Sequence, residues 1–225
     1  MNKVVILAGG KGSRMGELGE LIPKPMVKIG DIPIIEHIMN IFGEYEFIIA
    51  AGYRHDVIGE YFKNKKNVLV VNTGEETQTA GRLLRLSSYV KLDEPFYLCY
   101  GDGLTNFYPH LLWNEDPQNV VNMLTVHPRG RFGEVRFDGR LVTEFSEKPI
   151  MDTWINGGYF FVKPDIFYYI EDETSVLETD VFSELVLYKR LFCYPYDGYW
   201  HCMDTPKDWR ELNEEYEKGN AQWLK

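Results

Sequence analysis

The residues with the clearest chemistry lie in a glycine-rich stretch that begins at Val4 and reads V-V-I-L-A-G-G-K-G-S-R-M-G. Glycines at positions 9 and 10 let the main chain approach a ligand closely, and successive N–H groups in such a turn form an anion site. Arg14 adds a bidentate donor suited to phosphate, and Lys24 adds a compact cation between two prolines. Together these residues predict a cradle for a nucleoside triphosphate.

Other interpretations of this stretch explain it less well. A P-loop requires G-x-x-x-x-G-K-[ST], and that string does not occur in the chain. The dinucleotide fingerprint G-x-G-x-x-G fails because the third glycine comes one residue late. An ordinary glycine turn with solvated charges would account for Gly9 and Gly10, but not for Arg14 together with Pro-Lys-Pro.

Asp102 has the setting of a metal ligand. It follows a strand-like run and lies between Gly101 and Gly103, which would let a metal and phosphates approach the backbone. Mg²⁺ prefers hard oxygen ligands, commonly one or two carboxylates plus substrate phosphates. A turn-capping aspartate is the plain alternative for any such Asp-Gly pair.

Further blocks follow the glycine-rich stretch in order along nearly the whole chain: V-N-T-G-E-E-T-Q-T-A-G-R-L (71–83), Y-G-D-G (100–103), G-R-F-G (130–133), S-E-K-P (146–149), I-N-G-G-Y-F (155–160) and M-D-T (203–205). In this order they resemble the sugar-phosphate nucleotidyltransferases, and most closely the glucose-1-phosphate cytidylyltransferases, down to E-K-G-N-A-Q-W at 217–223. The resemblance implies a Rossmann-like nucleotidyltransferase core.

The resemblance also implies roles for individual residues. Asp204 is expected to join Asp102 as a Mg²⁺ ligand, Lys24 to approach the nucleotide α-phosphate, and Lys148 to approach the acceptor phosphate. The expected catalytic residues are Arg14, Lys24, Asp102 and Lys148. The expected nucleotide-binding residues are Leu7, Ala8, Gly9, Gly10, Gly12, Ser13, Arg14, Lys24, Thr79, Gly81, Arg82, Gly101 and Asp102. The expected acceptor-binding residues are Tyr100, Glu147, Lys148, Asn156, Gly157 and Glu178.

Recognition of the base is expected in the segment Thr77–Arg82. Backbone groups near Thr79 and Gly81, with Arg82 as a donor, would match the donor and acceptors of the cytosine edge. This segment resembles the cytidylyltransferase form more than forms that use other nucleotides. Beyond Arg82 the pattern is that of an ordinary amphipathic helix.

The elements that must position these residues alternate in the first half of the chain. Strand-like runs at Val4–Leu7, Glu46–Ala50, Val68–Asn72 and Phe96–Tyr100 are separated by helical patterns at Ile34–Phe42, His55–Phe62 and Gly81–Tyr89. This alternation predicts a mixed, mostly parallel sheet flanked by helices in a single α/β domain spanning 1–225. Gly9, Thr73 and Gly101 each follow a predicted strand, so they should meet at one edge of the sheet.

The second half is predicted to be richer in strands. The strand-like runs are Val120–Val126, Gly133–Phe137, Leu141–Phe145, Trp154–Val162 and Leu191–Tyr194, with a hairpin turn at Asp138-Gly139. The predicted helices are Pro164–Ile170, Thr179–Lys189 and Pro206–Lys218.

Composition limits the class of protein. The 225 residues are 44% hydrophobic and 15% aromatic, which is typical of a globular chain. A net charge of -10 argues against a nucleic-acid partner, and the absence of a long apolar run argues against a membrane partner. The three cysteines and five histidines show no disulfide or zinc spacing. We therefore expect a cytoplasmic protein.

Two departures from the family pattern bear on assembly and substrate. Relatives carry a much longer segment after G-E-Y-F (59–62), and that segment helps to organise their oligomers. Because the segment is short in this chain, a homo-oligomer is an alternative rather than a prediction. Ile22 stands where relatives have the first lysine of K-P-K-P. Loss of that cation would weaken triphosphate binding or mark a different acceptor.

The leading hypothesis is an enzyme that uses Mg²⁺, CTP and a sugar 1-phosphate, glucose 1-phosphate first, to form a CDP-sugar and pyrophosphate. Within the same class, the acceptor could be a different phosphorylated small molecule such as phosphocholine, or the nucleotide could be another triphosphate. A separate class is a regulator that binds a nucleotide without catalysis, which would be expected to lose Lys24 or a metal carboxylate; this chain keeps them.

Overall fold

The computed structural model describes residues 3–87 and 93–224. Its strands, numbered along the chain, are β1 (Lys3–Ala8), β2 (Lys28–Ile29), β3 (Ile32–Pro33), β4 (Glu46–Ala51), β5 (Val68–Asn72), β6 (Phe96–Tyr100), β7 (Gly103–Thr105), β8 (Val121–Val126), β9 (Glu134–Asp138), β10 (Leu141–Ser146), β11 (Ile155–Val162), β12 (Leu191–Tyr196) and β13 (Trp200–Cys202). Its α-helices are α1 (Glu17–Leu21), α2 (Ile34–Phe42), α3 (His55–Phe62), α4 (Thr79–Ser87), α5 (Phe182–Leu187) and α6 (Pro206–Glu217).

The central sheet has seven strands in the order β12-β8-β11-β6-β1-β4-β5. The run β6-β1-β4-β5 is parallel throughout, and β11 alone is antiparallel to its neighbours. This arrangement confirms the predicted mixed, mostly parallel sheet with flanking helices. Because the parallel strands end at one edge, the loops after β1, β5 and β6 lie together there.

Both faces of the sheet are buried, which explains the continuous apolar runs of its central strands. In β1, Val4 and Ile6 belong to the core on one face, while Val5 and Leu7 belong to the core on the other. Helix α2 packs on the first core and α4 on the second. A strand buried on both faces has no polar alternation, as expected of a central parallel strand.

The first-half helices and strands agree with the sequence prediction to within a residue or two at most ends. The predicted helix Gly81–Tyr89 is described as Thr79–Ser87, and its last two positions lie outside the described residues.

Two second-half helices differ from prediction. Pro164–Tyr169 is a 3₁₀ helix rather than an α-helix. The predicted helix Thr179–Lys189 begins as a π turn at Leu177–Val181 and ends at Leu187. It ends early because Lys189 adopts a left-handed conformation with φ of 55°, which closes a helix end.

A separate two-stranded hairpin, β9–β10, stands apart from the central sheet. Its turn is the predicted Asp138-Gly139, where Gly139 has φ of 58°. Among the described residues, the structure contains no helix that is long and apolar enough to cross a lipid bilayer.

Candidate active site

The glycine loop after β1 is shaped by close approaches that exclude larger residues. A Cβ added at Gly9 would lie 2.1 Å from Cζ of Arg82. Gly12 has φ of 61°, and a Cβ there would lie 3.0 Å from Cβ of Lys24. A larger residue at position 9 would therefore displace the Arg82 guanidinium, and the left-handed backbone of Gly12 favours glycine there. The loop continues into a 3₁₀ turn at Ser13–Met15.

Arg82 lies beneath this loop and holds two strand ends together. Its side chain is 5% exposed, and burial, with a smaller contribution from a neighbouring arginine, lowers its pKa. Its two terminal amino groups donate to the Gly9 carbonyl at 3.1 Å, the Thr73 hydroxyl at 2.8 Å, and the carbonyls of Gly74 and Glu75 at 2.6 and 3.3 Å. Arg82 thus positions the glycine loop; its expected role as a reader of the base stays a prediction.

The small β7–β13 pair brings the two predicted metal ligands together. Asp102 precedes β7 and Asp204 follows β13, and the Met203 N–H donates to the Asp102 carbonyl at 2.8 Å. Between the carboxylates lies Lys24, whose Nζ donates to Asp102 Oδ2 and to Asp204 Oδ1, both at 2.7 Å. Burial by itself would lower the pKa of Lys24, but the two carboxylates outweigh it and the pKa is raised.

Two further side chains complete the surroundings of these carboxylates. Arg14, whose side chain is largely exposed, donates to Asp204 Oδ2 at 2.6 Å. Cys202 has its sulfur within 4.8 Å of carboxylate oxygens of Asp102 and Asp204. Because burial and these carboxylates raise the pKa of Cys202, it stays a neutral thiol at neutral pH. The two carboxylates are therefore the ligands available to a hard cation.

These residues line a first cleft of about 560 Å³. It contains most of the predicted site: Leu7, Ala8, Gly9, Gly10, Gly12, Ser13, Arg14, Lys24, Thr79, Arg82, Tyr100, Gly101, Asp102, Glu178 and Asp204. Lys11 and Glu76, which were not among the predicted site residues, also line it and form an ion pair at 2.7 Å. Lys11 stands within G-G-K-G-S-R, so its place in that block was the available signal.

A chain of polar contacts runs along one wall of the first cleft. The Tyr100 hydroxyl donates to Glu178 and accepts from Asn156 Nδ2 at 3.3 Å. Thr79 Oγ1 donates to the same carboxylate of Glu178 at 3.0 Å. Burial, with the charge of Glu178, raises the pKa of Tyr100. Thr79, which was predicted to bind the nucleotide, thus belongs to the same hydrogen-bond network as residues that were predicted to bind the acceptor.

A second cleft of about 510 Å³ adjoins the first, and Asp204 lines both. Four cationic side chains line it, Arg129, Arg131, Lys148 and Lys207, together with three acidic ones, Asp204, Asp208 and Glu211. Lys148 and Lys207 line the same cleft, and the neighbouring Lys207 lowers the pKa of Lys148. Like charges placed this close favour a bound dianion between them.

The sequence interpretation predicted Lys148 but missed its three cationic neighbours. Arg131 is the second residue of the G-R-F-G block, Arg129 comes just before that block, and Lys207 comes three residues after Asp204. A position in or next to a recognised block was the signal that the sequence offered for them.

Four predicted residues lie outside the linings of both clefts: Gly81, Glu147, Asn156 and Gly157. A Cβ at Gly81 would lie 2.1 Å from the Glu173 carbonyl oxygen, so this glycine permits close packing of α4 against a loop. Gly157 accepts a hydrogen bond from Trp200 Nε1 at 2.8 Å, and Glu147 is exposed. Asn156 reaches the first cleft only through Tyr100.

Comparison with known proteins identifies the family. A family model described as nucleotidyl transferase matches residues 3–219. The chain belongs to the nucleotidyl transferase family. This nucleotidyltransferase is 35% identical to a glucose-1-phosphate cytidylyltransferase of Salmonella typhi, over 98% of both chains. It is also 35% identical to a probable glucose-1-phosphate cytidylyltransferase of Bacillus subtilis, over 98% of both chains.

These relatives confirm the family resemblance and the enzyme class. The alignment with the Salmonella typhi protein runs over 252 positions, so that relative has residues without a counterpart among the 225 of this chain. The short connection between α3 and β5, residues 63–67, is where the sequence predicted the missing segment. A putative glucose-1-phosphate thymidylyltransferase of Bacillus anthracis shares the fold, with a TM-score of 0.72 and 18% identity over 98% of both chains.

Proposed function

We propose that this nucleotidyltransferase transfers a cytidylyl group from CTP to a sugar 1-phosphate, with glucose 1-phosphate as the first candidate, and releases pyrophosphate. The observation that carries the proposal is the position of Asp102, Asp204 and Lys24 at the junction of two clefts. One cleft has the glycine loop that suits a triphosphate, and the other has paired lysines that suit a phosphate. The named cytidylyltransferase relatives support cytidine and glucose as the specific choices.

The reaction requires two anions to meet in line. An oxygen of the acceptor phosphate attacks the α-phosphorus of CTP, the bond from that phosphorus to the bridging oxygen breaks, and pyrophosphate leaves with the bonding electrons. No protein nucleophile is needed, so the protein contributes position and charge. A lysine about 4 Å from a phosphate gains roughly 4 kcal/mol per charge pair at an effective dielectric near 20. We assign Lys24 and Arg14 to the nucleotide phosphates on this basis.

Asp102 and Asp204 would hold Mg²⁺. Their oxygens lie within 4.8 Å of each other in a partly exposed position on the cleft, and carboxylate oxygens are the ligands that Mg²⁺ prefers. The bound ion would neutralise charge on the nucleotide phosphates. The neighbouring Cys202 is a protonated thiol, which does not compete for a hard cation.

The second cleft would receive the acceptor phosphate. Lys148 and Lys207 face the same space as Arg129 and Arg131. These four cations outnumber the three acidic side chains of the same lining, so the cleft favours the negative charge of a phosphate monoester. For the sugar, the expected acceptor-binding residues that line a cleft are Tyr100 and Glu178, whose hydroxyl and carboxylate groups suit sugar hydroxyls.

A substrate panel tests the proposal. Each of CTP, UTP, dTTP and GTP is combined with glucose 1-phosphate, other sugar 1-phosphates and phosphocholine, and pyrophosphate release is measured. We expect the highest kcat/KM with CTP and a sugar 1-phosphate, and pyrophosphate release that is at least about 100-fold slower in Asp102→Asn. Turnover with phosphocholine alone would indicate a different acceptor. Nucleotide binding without pyrophosphate release from any acceptor would indicate a regulator and contradict the proposal.

A further inference from the structure

The β9–β10 hairpin is the most exposed regular element of the described residues. Every residue of both strands is exposed to solvent, although the two strands contain several apolar side chains. An isolated two-stranded hairpin is only marginally stable in water, and such elements normally gain stability from a packed apolar face.

The strand register sorts the side chains of the hairpin onto two faces. Phe137 pairs with Val142, and Val135 pairs with Phe145, so all four apolar side chains point to one side. Arg136 and Glu144 pair on the opposite side, where they form an ion pair at 3.2 Å. We call the apolar side the hairpin face; its exposed fractions range from 47% to 69% among Val135, Phe137, Val142 and Phe145.

The hairpin face is large enough for a specific interface. At about 100 Å² of exposed apolar surface per side chain, it presents about 400 Å², which is in the range of functional patches on monomers. Two such faces together would bury about 800 Å² of apolar surface. Because interfaces are about 57% apolar, this corresponds to about 1,400 Å² in total, within the range of stable complexes.

We infer that the hairpin face binds the hairpin face of a second copy of this chain. Charge favours a copy over a strongly acidic or basic partner: residues 129–148 carry five basic and four acidic side chains, although the whole chain has a net charge of -10. Two copies can therefore meet at this surface without the repulsion that acts elsewhere. A two-fold axis would place identical faces against each other, since a two-fold interface uses the same patch on both subunits.

This interface would lie next to the second cleft. Strand β10 ends at Ser146, two residues before Lys148, whose φ of 47° is unusual for a residue with a side chain. An unsupported hairpin would leave the approach to Lys148 free to move. Association of two copies would fix it.

Sedimentation velocity over a wide range of protein concentration tests the inference, with two matched variants. Phe137→Glu places a charge on the hairpin face, and Leu141→Glu places the same charge on the opposite face, at a side chain that is also exposed, by 71%. We expect wild type and Leu141→Glu to sediment as an oligomer, and Phe137→Glu to lose that association. Val142→Glu repeats the test should Phe137→Glu lose its native circular dichroism spectrum.

Hydrogen–deuterium exchange supplies a local readout. We expect the amides of β9 and β10 to exchange more slowly in concentrated wild type than in Phe137→Glu at the same concentration. A wild type that is monomeric at every concentration would overturn the inference. An oligomer that Phe137→Glu leaves intact, or that both glutamate variants dissociate equally, would also overturn the assignment to this face.

Discussion

At the scale of single residues, the site is a balance of charges around Lys24. Lys24 and Arg14 contact the carboxylates of Asp102 and Asp204, so two cations and two anions cancel within the first cleft. A triphosphate therefore gains little net attraction from these four groups alone. This is the physical reason to expect that nucleotide binding and turnover depend on a divalent cation.

Replacing one carboxylate tests this balance. Asp102→Asn keeps the shape of the side chain and removes one charge, so we expect an intact fold and a fall in turnover of at least about 100-fold, equivalent to about 2.7 kcal/mol of activation free energy. Steady-state kinetics at several Mg²⁺ concentrations measure the effect. Asp31→Asn, at an exposed turn between β2 and β3, is the control. Normal rates of Asp102→Asn at ordinary Mg²⁺ would remove this residue from the site.

The lysine pair of the second cleft predicts a pH dependence. Lys207 lowers the pKa of Lys148, so Lys148 loses its charge at a lower pH than the ordinary value of 10.5. We expect kcat/KM for the acceptor to fall as the pH rises through this lowered pKa. Lys207→Met should move that fall to higher pH, and should raise the acceptor KM near neutral pH with little change in the CTP KM.

Kinetics across the alkaline range measure this shift, and Lys66→Met, at an exposed lysine on the connection after α3, is the control. Lys148→Ala should raise the acceptor KM strongly and lower kcat, because the lost charge also aligns the attacking oxygen. An alkaline fall that Lys207→Met leaves unmoved would show that the two lysines do not titrate together. A defect confined to CTP would assign Lys148 to the nucleotide.

At the scale of elements, loops are held in place by buried contacts that the sequence pattern does not reveal. The runs that form β1, β4, β5 and β6 could be predicted because a strand buried on both faces is apolar along its length. The contacts of Arg82 could not be predicted in this way. A helical sequence pattern is the same whether its arginine binds a nucleotide base or a backbone carbonyl. Its partners come from loops after β1 and β5, which only the folded chain brings together.

Arg82 therefore predicts a loss of stability as well as of affinity. Arg82→Ala removes the hydrogen bonds of a buried guanidinium to the Gly9 carbonyl, the Thr73 hydroxyl and two part-buried carbonyls, and it leaves the space of the side chain unfilled. We therefore expect a loss of about 3 kcal/mol in the free energy of unfolding and a raised CTP KM. Chemical denaturation and CTP titration measure the two effects, with Arg210→Ala on α6 as an exposed control. A raised CTP KM with unchanged stability would favour direct contact of Arg82 with the base.

The N-terminus of α6 holds Asp204 by a capping box. Asp208 Oδ2 accepts from the backbone N–H of Thr205 at 2.7 Å and of Asp204 at 3.0 Å, and Thr205 Oγ1 accepts from the Asp208 N–H at 3.3 Å. Asp208→Ala should lower stability by about 1 kcal/mol and raise the Mg²⁺ concentration for half-maximal activity. Thr205→Ser, which keeps the capping hydroxyl, should preserve both. An unchanged Mg²⁺ dependence in Asp208→Ala would limit its role to the helix.

At the scale of the whole molecule, the two clefts come from different parts of the chain and meet at Asp204. The first cleft is built on the ends of parallel strands, and motif order alone predicted most of it. The second cleft was largely missed because its cations come from the loop after β8, the segment after β10 and the start of α6. The alternating pattern of β9 and β10 predicted a hairpin, but the pattern cannot tell whether its apolar face meets the same chain or another.

A link between the hairpin face and the second cleft rests on both the proposed function and the inferred interface. If association fixes the approach to Lys148, dissociation should raise the acceptor KM about tenfold, or about 1.4 kcal/mol, and leave the CTP KM nearly unchanged. We would compare the acceptor and CTP KM values of Phe137→Glu and Leu141→Glu. Each variant is assayed at concentrations where its oligomeric state has been measured. Leu141→Glu should match wild type. Equal increases in both KM values would indicate a general loss of structure, whereas a dissociated Phe137→Glu with normal acceptor KM would show that the hairpin does not position Lys148.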